Sequence, residues 1–260
     1  MSAVVQVPWC SRFHGGGMEE GPAAVAAALG PDEWVTVEMD MDAPPEDALA
    51  AGLPEVQAAV ADAGPNPLVL LGECTLAPAV TAGLRASHPG LVLVWVDAHG
   101  DLNTPETSPS GFLGGMPFAV LLGWCHERLR TAAGLDPALP EDRAALVGAR
   151  DLDPGERAAI ERSRLVTTDD VAAALSILPD DAPIHLHLDG DVLDPADAPG
   201  VDFPAPDGWS GNRLDTELAA LAATGRVVGV SLCCGNPRRD PDGRGARAYA
   251  RALRPFLTAP

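Results

Sequence analysis

The stretch LVLVWVDAHGDLN (91–103) decides the fold. Six apolar residues run unbroken into Asp97, His99 and Asp101 at alternate positions, and Asn103 follows. An uninterrupted apolar run of this kind fits a strand buried on both faces, as in a parallel sheet covered by helices. Polar residues crowded just past its end lie where open parallel sheets bind their ligands.

Seven more apolar runs share the design: VVQV (4–7), WVTVEM (34–39), PLVLL (67–71), AALVGA (144–149), LVTT (165–168), PIHLHL (183–188) and VVGVSL (227–232). Segments with helical spacing separate most of them, at 21–29, 46–62, 76–86, 115–123, 154–162, 169–177, 212–224 and 243–253. Strand-then-helix alternation predicts an α/β fold with a central, mostly parallel sheet between helical layers. No linker, repeat or low-complexity tract interrupts the 260 residues, so one domain over 1–260 is expected.

The net charge of −20 argues against nucleic acid and anionic membrane as partners. All 17 basic residues are Arg, which excludes a Schiff-base lysine, a pyridoxal-phosphate anchor and a P-loop lysine. Five cysteines are too few and too odd in number for a disulfide scaffold. Neither a secretory signal nor a membrane-spanning apolar run is visible, so a cytoplasmic protein is expected.

HLHLDGDVLDP (185–195) repeats the opening pattern, with an apolar run ending in Asp189 and Asp191. Asp after a strand often closes a turn or caps a helix. Two such clusters on two strand ends favour a different reading. Four convergent carboxylates repel one another and stay ionised together only around a cation, for which Asp and His are suitable ligands. A third strand end, LVLLGECTLAPAV (68–80), adds Glu73, Cys74 and Thr75, with Cys74 as a further candidate ligand. His185 and His187 share one face of their strand. They are expected as hydrogen-bonded core residues, with His187 a possible support for a ligating carboxylate. GGG (15–17) and DFPAPDG (202–208) read as loops near the mouth of the site, and Cys233 as a buried strand residue.

DAHGDLN and LDGDVLDP resemble the two metal motifs of the arginase/agmatinase superfamily, the ureohydrolases. VGARDLDPGE (147–156) and TPETSPSGFLGGMP (104–117) resemble further family segments in the same order. The resemblance implies a three-layer α/β/α fold and two Mn²⁺ ions bridged by a hydroxide that attacks an amidine carbon. It implies that Asp97 and Asp189 bridge both ions, that Asp101 and Cys74 serve the first, and that His99 and Asp191 serve the second. Asp101 would also orient the hydroxide. Asn103, Asp153 and Glu156 match positions that hold the amino-acid end of arginine.

Three departures from the family pattern bear on chemistry. Cys74 stands where a His ligand is usual, and a thiolate favours zinc or iron over manganese. Gly114 stands where arginases carry a proton-shuttling His. Cys234 stands in place of the Glu that binds the guanidinium. Cys74 and the loop after the first motif resemble the Nω-hydroxyarginine amidinohydrolase branch of the family. The expected function is therefore dinuclear metal-dependent hydrolysis of a C–N bond in a small linear amidine, such as a hydroxylated or modified guanidine. Cys234 is expected near the substrate, or close enough to Cys74 to oxidise with it or share a metal. A formimino or guanidino acid as substrate, or a catalytically degenerate metal-binding homologue, are the alternatives. Family members often form trimers or hexamers, and no stripe here requires a homo-oligomer.

Overall fold

Each apolar run becomes a strand because it is buried on both sides. The computed structural model describes residues 4–30 and 34–257. Its strands are β1 (Val4–Val7), β2 (Val35–Thr36), β3 (Leu68–Leu71), β4 (Val92–Val96), β5 (Ala144–Val147), β6 (Val166–Thr168), β7 (Ile184–Asp189) and β8 (Val227–Cys233). They form one eight-stranded sheet in the order β2-β1-β3-β8-β7-β4-β5-β6. Every neighbouring pair is parallel.

Alternate residues of a strand point to opposite faces, so the sheet builds two cores. Val5, Val69, Leu93 and Trp95 belong to one, and Val4, Leu70, Val94 and Val96 to the other. The first is covered by α2 (Pro45–Asp62), α3 (Ala77–Ser87), α4 (Pro117–Leu121) and α5 (Glu127–Ala132), with Ile160 of α6 (Pro154–Arg162) packed against it. The second is covered by α1 (Gly21–Leu29), α7 (Val171–Ile177), α8 (Gly211–Ala223) and α9 (Arg244–Leu257). The expected three-layer α/β/α arrangement is present. Among the described residues no helix is long and apolar enough to cross a membrane.

The strand at the edge is shorter than the run 34–39 predicts. Trp34 and Val35 are exposed, and only Val35 and Thr36 pair with β1. With a ladder on one side only, little holds the remainder in strand geometry. The run 144–149 also stops early, because Gly148 turns the chain at φ 86°. Helix α4 is shorter than the predicted 115–123, and α5 was not anticipated. A helix of six residues offers too little periodicity to read.

Gly72, between β3 and Cys74, has a specific packing reason. A Cβ there would run into the backbone carbonyl of Trp9 and crowd that of Met18. Backbone atoms cannot rotate aside, so Gly72→Ala is expected to cost about 3 kcal/mol of stability. A denaturant midpoint unchanged from the parent protein would contradict this.

Candidate metal centre

Sheet order explains which side chains meet. β3, β8, β7 and β4 are consecutive in the sheet. Their C-terminal ends supply, in that order, Cys74, Cys234, Asp189 with Asp191, and Asp97 with His99 and Asp101. The donors fall into two groups, each with ligand atoms within 4.8 Å of one another: Asp97, His99 and Asp191, and Cys74, Asp189 and Cys234. Asp101 is only 5% exposed, and its Oδ2 is buried without a hydrogen-bond partner. It lines the same cavity, of about 260 Å³, as Cys74, His99, Asp189, Asp191 and Cys234.

The carboxylates are oriented by fixed donors. Asp97 accepts from Trp95 Nε1 at 2.8 Å and from the His99 amide at 2.7 Å. Asp189 accepts from the Asp191 amide at 3.0 Å and from Cys233 Sγ at 3.1 Å. Asp191 Oδ2 lies 3.0 Å from His99 Nδ1.

Burial, then the charges of Asp97 and Asp189, raise Asp101 well above the usual carboxylate range. Burial and then Asp191 do the same to Asp189, and Asp97 is raised by the same two causes. Burial would also raise Asp191, but His99 outweighs it and holds Asp191 low. Burial alone would depress His99, yet Asp191 and Asp97 push it up to about 12. Without a cation the cluster therefore gathers protons to relieve its repulsion.

The expected substrate-side residues all line the cavity, but several are already engaged. Asn103 Nδ2 donates to Asp153 Oδ2 at 2.8 Å, and its Oδ1 accepts from Thr107 at 3.0 Å. Glu156 accepts from the amides of Leu102 at 3.0 Å and Asp153 at 2.8 Å. Asp153 and Glu156 form the capping box of α6. Glu156 thus braces the metal-motif loop against α6. Cys234, expected near the substrate, lines the cavity and also groups with Cys74 and Asp189. Its backbone is left-handed at φ 65°.

His185 and His187 are buried on one face of β7 and share the Ser231 hydroxyl, at 2.9 and 2.8 Å. Burial depresses both to about 3, so they are neutral. His187 does not bond a ligating carboxylate directly. It stacks on Trp95 at 3.7 Å, and Trp95 makes that bond to Asp97. Cys233 is the buried residue expected, and its thiol also holds Asp189.

Other features escaped sequence reasoning. Glu73 is fully buried at the cavity, with its oxygens bonded to the Ser11 amide at 2.9 Å, the Ser11 hydroxyl at 2.7 Å and the Thr75 hydroxyl at 3.0 Å. Burial, partly offset by these bonds, raises its pKa. Phe112 stacks on Phe13 at 4.5 Å and on Phe203 at 5.2 Å, and Phe112 and Phe203 line the cavity. The turn-rich stretches around Gly15–Gly17 and 202–208 were the available signal, since both flank this aromatic wall.

The Arginase family model matches residues 2–258, and the chain belongs to the arginase family. It is 39% identical over 185 residues to the arginase of Bacillus subtilis (strain 168), covering 67% of this chain and 62% of that protein. It is 36% identical over 194 residues to the Nω-hydroxy-L-arginine amidinohydrolase of Streptomyces lavendulae, covering 73% of this chain and 68% of that protein. The native arginase structure from Bacillus caldovelox superposes with a TM-score of 0.89 at 28% identity, over 100% of this chain and 99% of that one.

Proposed function

We propose that the protein is a metal-dependent amidinohydrolase acting on a small, weakly basic amidine, with Nω-hydroxy-L-arginine as the model substrate. The observation that carries this reading is the buried carboxylate cluster facing one cavity, with Asp101 Oδ2 left without a partner. An unpaired buried carboxylate oxygen is costly unless a cation or proton meets it. The donors Cys74, Asp97, His99, Asp101, Asp189 and Asp191 fit a pair of divalent cations of the Mn²⁺, Zn²⁺ or Fe²⁺ kind. Two such ions would lower the pKa of a water held between them.

The chain's own residues do the rest. Asp101 would accept a hydrogen bond from the attacking water and orient it. Trp95, Cys233 and the strand-end amides fix Asp97 and Asp189. Asn103 and Asp153 present a polar edge to the amino-acid end of the substrate, and Glu156 keeps that edge in place.

Substrate choice follows from what faces the amidine. Arginine carries a permanent charge, its pKa being above about 12. Burying that charge without a carboxylate partner costs several kcal/mol, on the order of 3–5. Cys234 brings sulfur and no carboxylate to the cavity, and both oxygens of Glu73 are already taken. A hydroxylated guanidine is far less basic and enters neutral. Steady-state kinetics on L-arginine and Nω-hydroxy-L-arginine, with metal supplied, should give a higher kcat/KM for the hydroxylated compound. Equal or better turnover of arginine would defeat the substrate assignment. Metal binding without turnover of either would favour another amidine or a degenerate homologue.

A further inference from the structure

The two donor groups are chemically unlike. Asp97, His99 and Asp191 offer oxygen and imidazole nitrogen. Cys74, Asp189 and Cys234 offer two sulfurs and one oxygen, all three residues being buried. We propose that Cys74 and Cys234 together form a dithiolate subsite with Asp189 that takes a soft cation of the zinc class, leaving the hard cation to the other half of the centre. The proposal rests on the metal-dependent reading above and adds a second thiolate ligand, Cys234, to it.

Three observations converge on this subsite. The first is topological: β8 lies between β3 and β7, so the residue after β8 is placed between Cys74 and Asp189 by the sheet itself. The second is conformational. Cys233 and Cys234 are adjacent, yet only Cys234 lines the cavity, while the Cys233 thiol donates to Asp189 Oδ2 at 3.1 Å. Cys234 reaches the cavity through a left-handed backbone that non-glycine residues rarely adopt. Such conformations persist where the surroundings enforce them, commonly at functional sites. The third is the unpartnered Asp101 Oδ2, buried at the cavity that Cys74, Asp189 and Cys234 also line. An unpaired carboxylate oxygen facing the cavity favours a cation there.

Thiolate is the decisive donor. Manganese prefers carboxylate, carbonyl and water, whereas sulfur selects zinc among the common divalent ions. In the cation-free protein the Cys74 thiol is protonated and donates to the Gly114 carbonyl at 3.2 Å. Binding the cation releases the two thiol protons to solvent and leaves two sulfur–metal bonds, with no change of oxidation state.

Cobalt(II) reports the donor set directly, because thiolate coordination gives a near-ultraviolet charge-transfer band that oxygen and nitrogen ligands do not. The full chain, kept in a non-chelating phosphine reductant, is titrated with Co²⁺. The band is expected to saturate with the first equivalent. Cys74→Ser and Cys234→Ser should each reduce it to about half, one of two thiolates being lost. Cys10→Ser, whose thiol bonds Glu19 outside the cavity, should leave it unchanged. Zinc should abolish it stoichiometrically, and an excess of manganese should not. A Co²⁺-loaded chain without the band, or a full band in Cys234→Ser, overturns the proposal. The band reads the ligands whether or not an amidine is hydrolysed. Turnover without a Cys234-dependent band would refute the dithiolate alone, and the band without turnover of any amidine would refute the hydrolase reading alone.

Discussion

Asp189→Asn is expected to lower kcat/KM for the preferred amidine by about 10³ or more, and to abolish stoichiometric binding of at least one divalent cation. Asn keeps the size of the side chain and can still accept from the Asp191 amide, so the turn after β7 should survive. What disappears is the carboxylate charge of the group formed with Cys74 and Cys234. Several kcal/mol of charge stabilisation lost at the reacting centre corresponds to three powers of ten, at about 1.4 kcal/mol each. The same substitution should act in the opposite direction on the cation-free protein. Burial and neighbouring carboxylates raise Asp189 well above its ordinary value, so near neutral pH its ionised form opposes folding. The metal-free variant should therefore melt no lower than the metal-free parent and gain less from added metal. Differential scanning fluorimetry with and without metal, beside metal analysis, reads both effects. A variant that keeps two ions and full activity would remove Asp189 from the centre.

Gly114→His, the substitution that nominally restores an arginase proton donor, should not restore it. A Cβ at Gly114 would run into the ring of Phe112, which is stacked between Phe13 and Phe203. The Gly114 carbonyl also accepts from Cys74. The new side chain must therefore disturb the aromatic wall, the ligand loop or both, and a loss of at least about tenfold in kcat/KM is expected. Removing the obstruction should reverse the result. In Phe112→Ala/Gly114→His the imidazole has room at the cavity, and a positioned acid contributes about 10²–10⁴. The double variant should exceed the single one in kcat on arginine by at least about tenfold. Equal kcat for the two would show that Phe112 is not what keeps a proton donor out.

Much of this molecule is visible before any coordinates. The ends of β4 and β7 are legible because each is a two-sided apolar run broken by alternating Asp, a pattern with few physical causes. Other features depend on contacts between distant segments. Cys74 and Cys234 lie in separate parts of the chain, and only the order β3-β8-β7 makes them neighbours of Asp189. The different fates of Cys233 and Cys234 depend on one left-handed residue, which a Cys-Cys pair does not announce. The aromatic wall joins Phe13, Phe112 and Phe203 from three loops, and no local periodicity links them. Asn103, Asp153 and Glu156 were found by resemblance. That they hold one another and the ligand loop is a matter of hydrogen-bond geometry, which sequence spacing does not contain.

Asp101 also has a mechanical attachment. Its carbonyl accepts from the amides of Phe118 at 3.0 Å and Ala119 at 3.1 Å, and the Asn103 amide donates to the Gly115 carbonyl at 3.0 Å. The loop that forms one wall of the cavity is thus stitched shut at its base by main-chain atoms, beside the buried Asp101 carboxylate. For protein engineers this sets the size of the exchangeable module. A loop grafted from a relative between residues 104 and 117 would inherit seams cut for another partner. Residues 101–119 taken as one cassette would carry both halves of these three main-chain bonds.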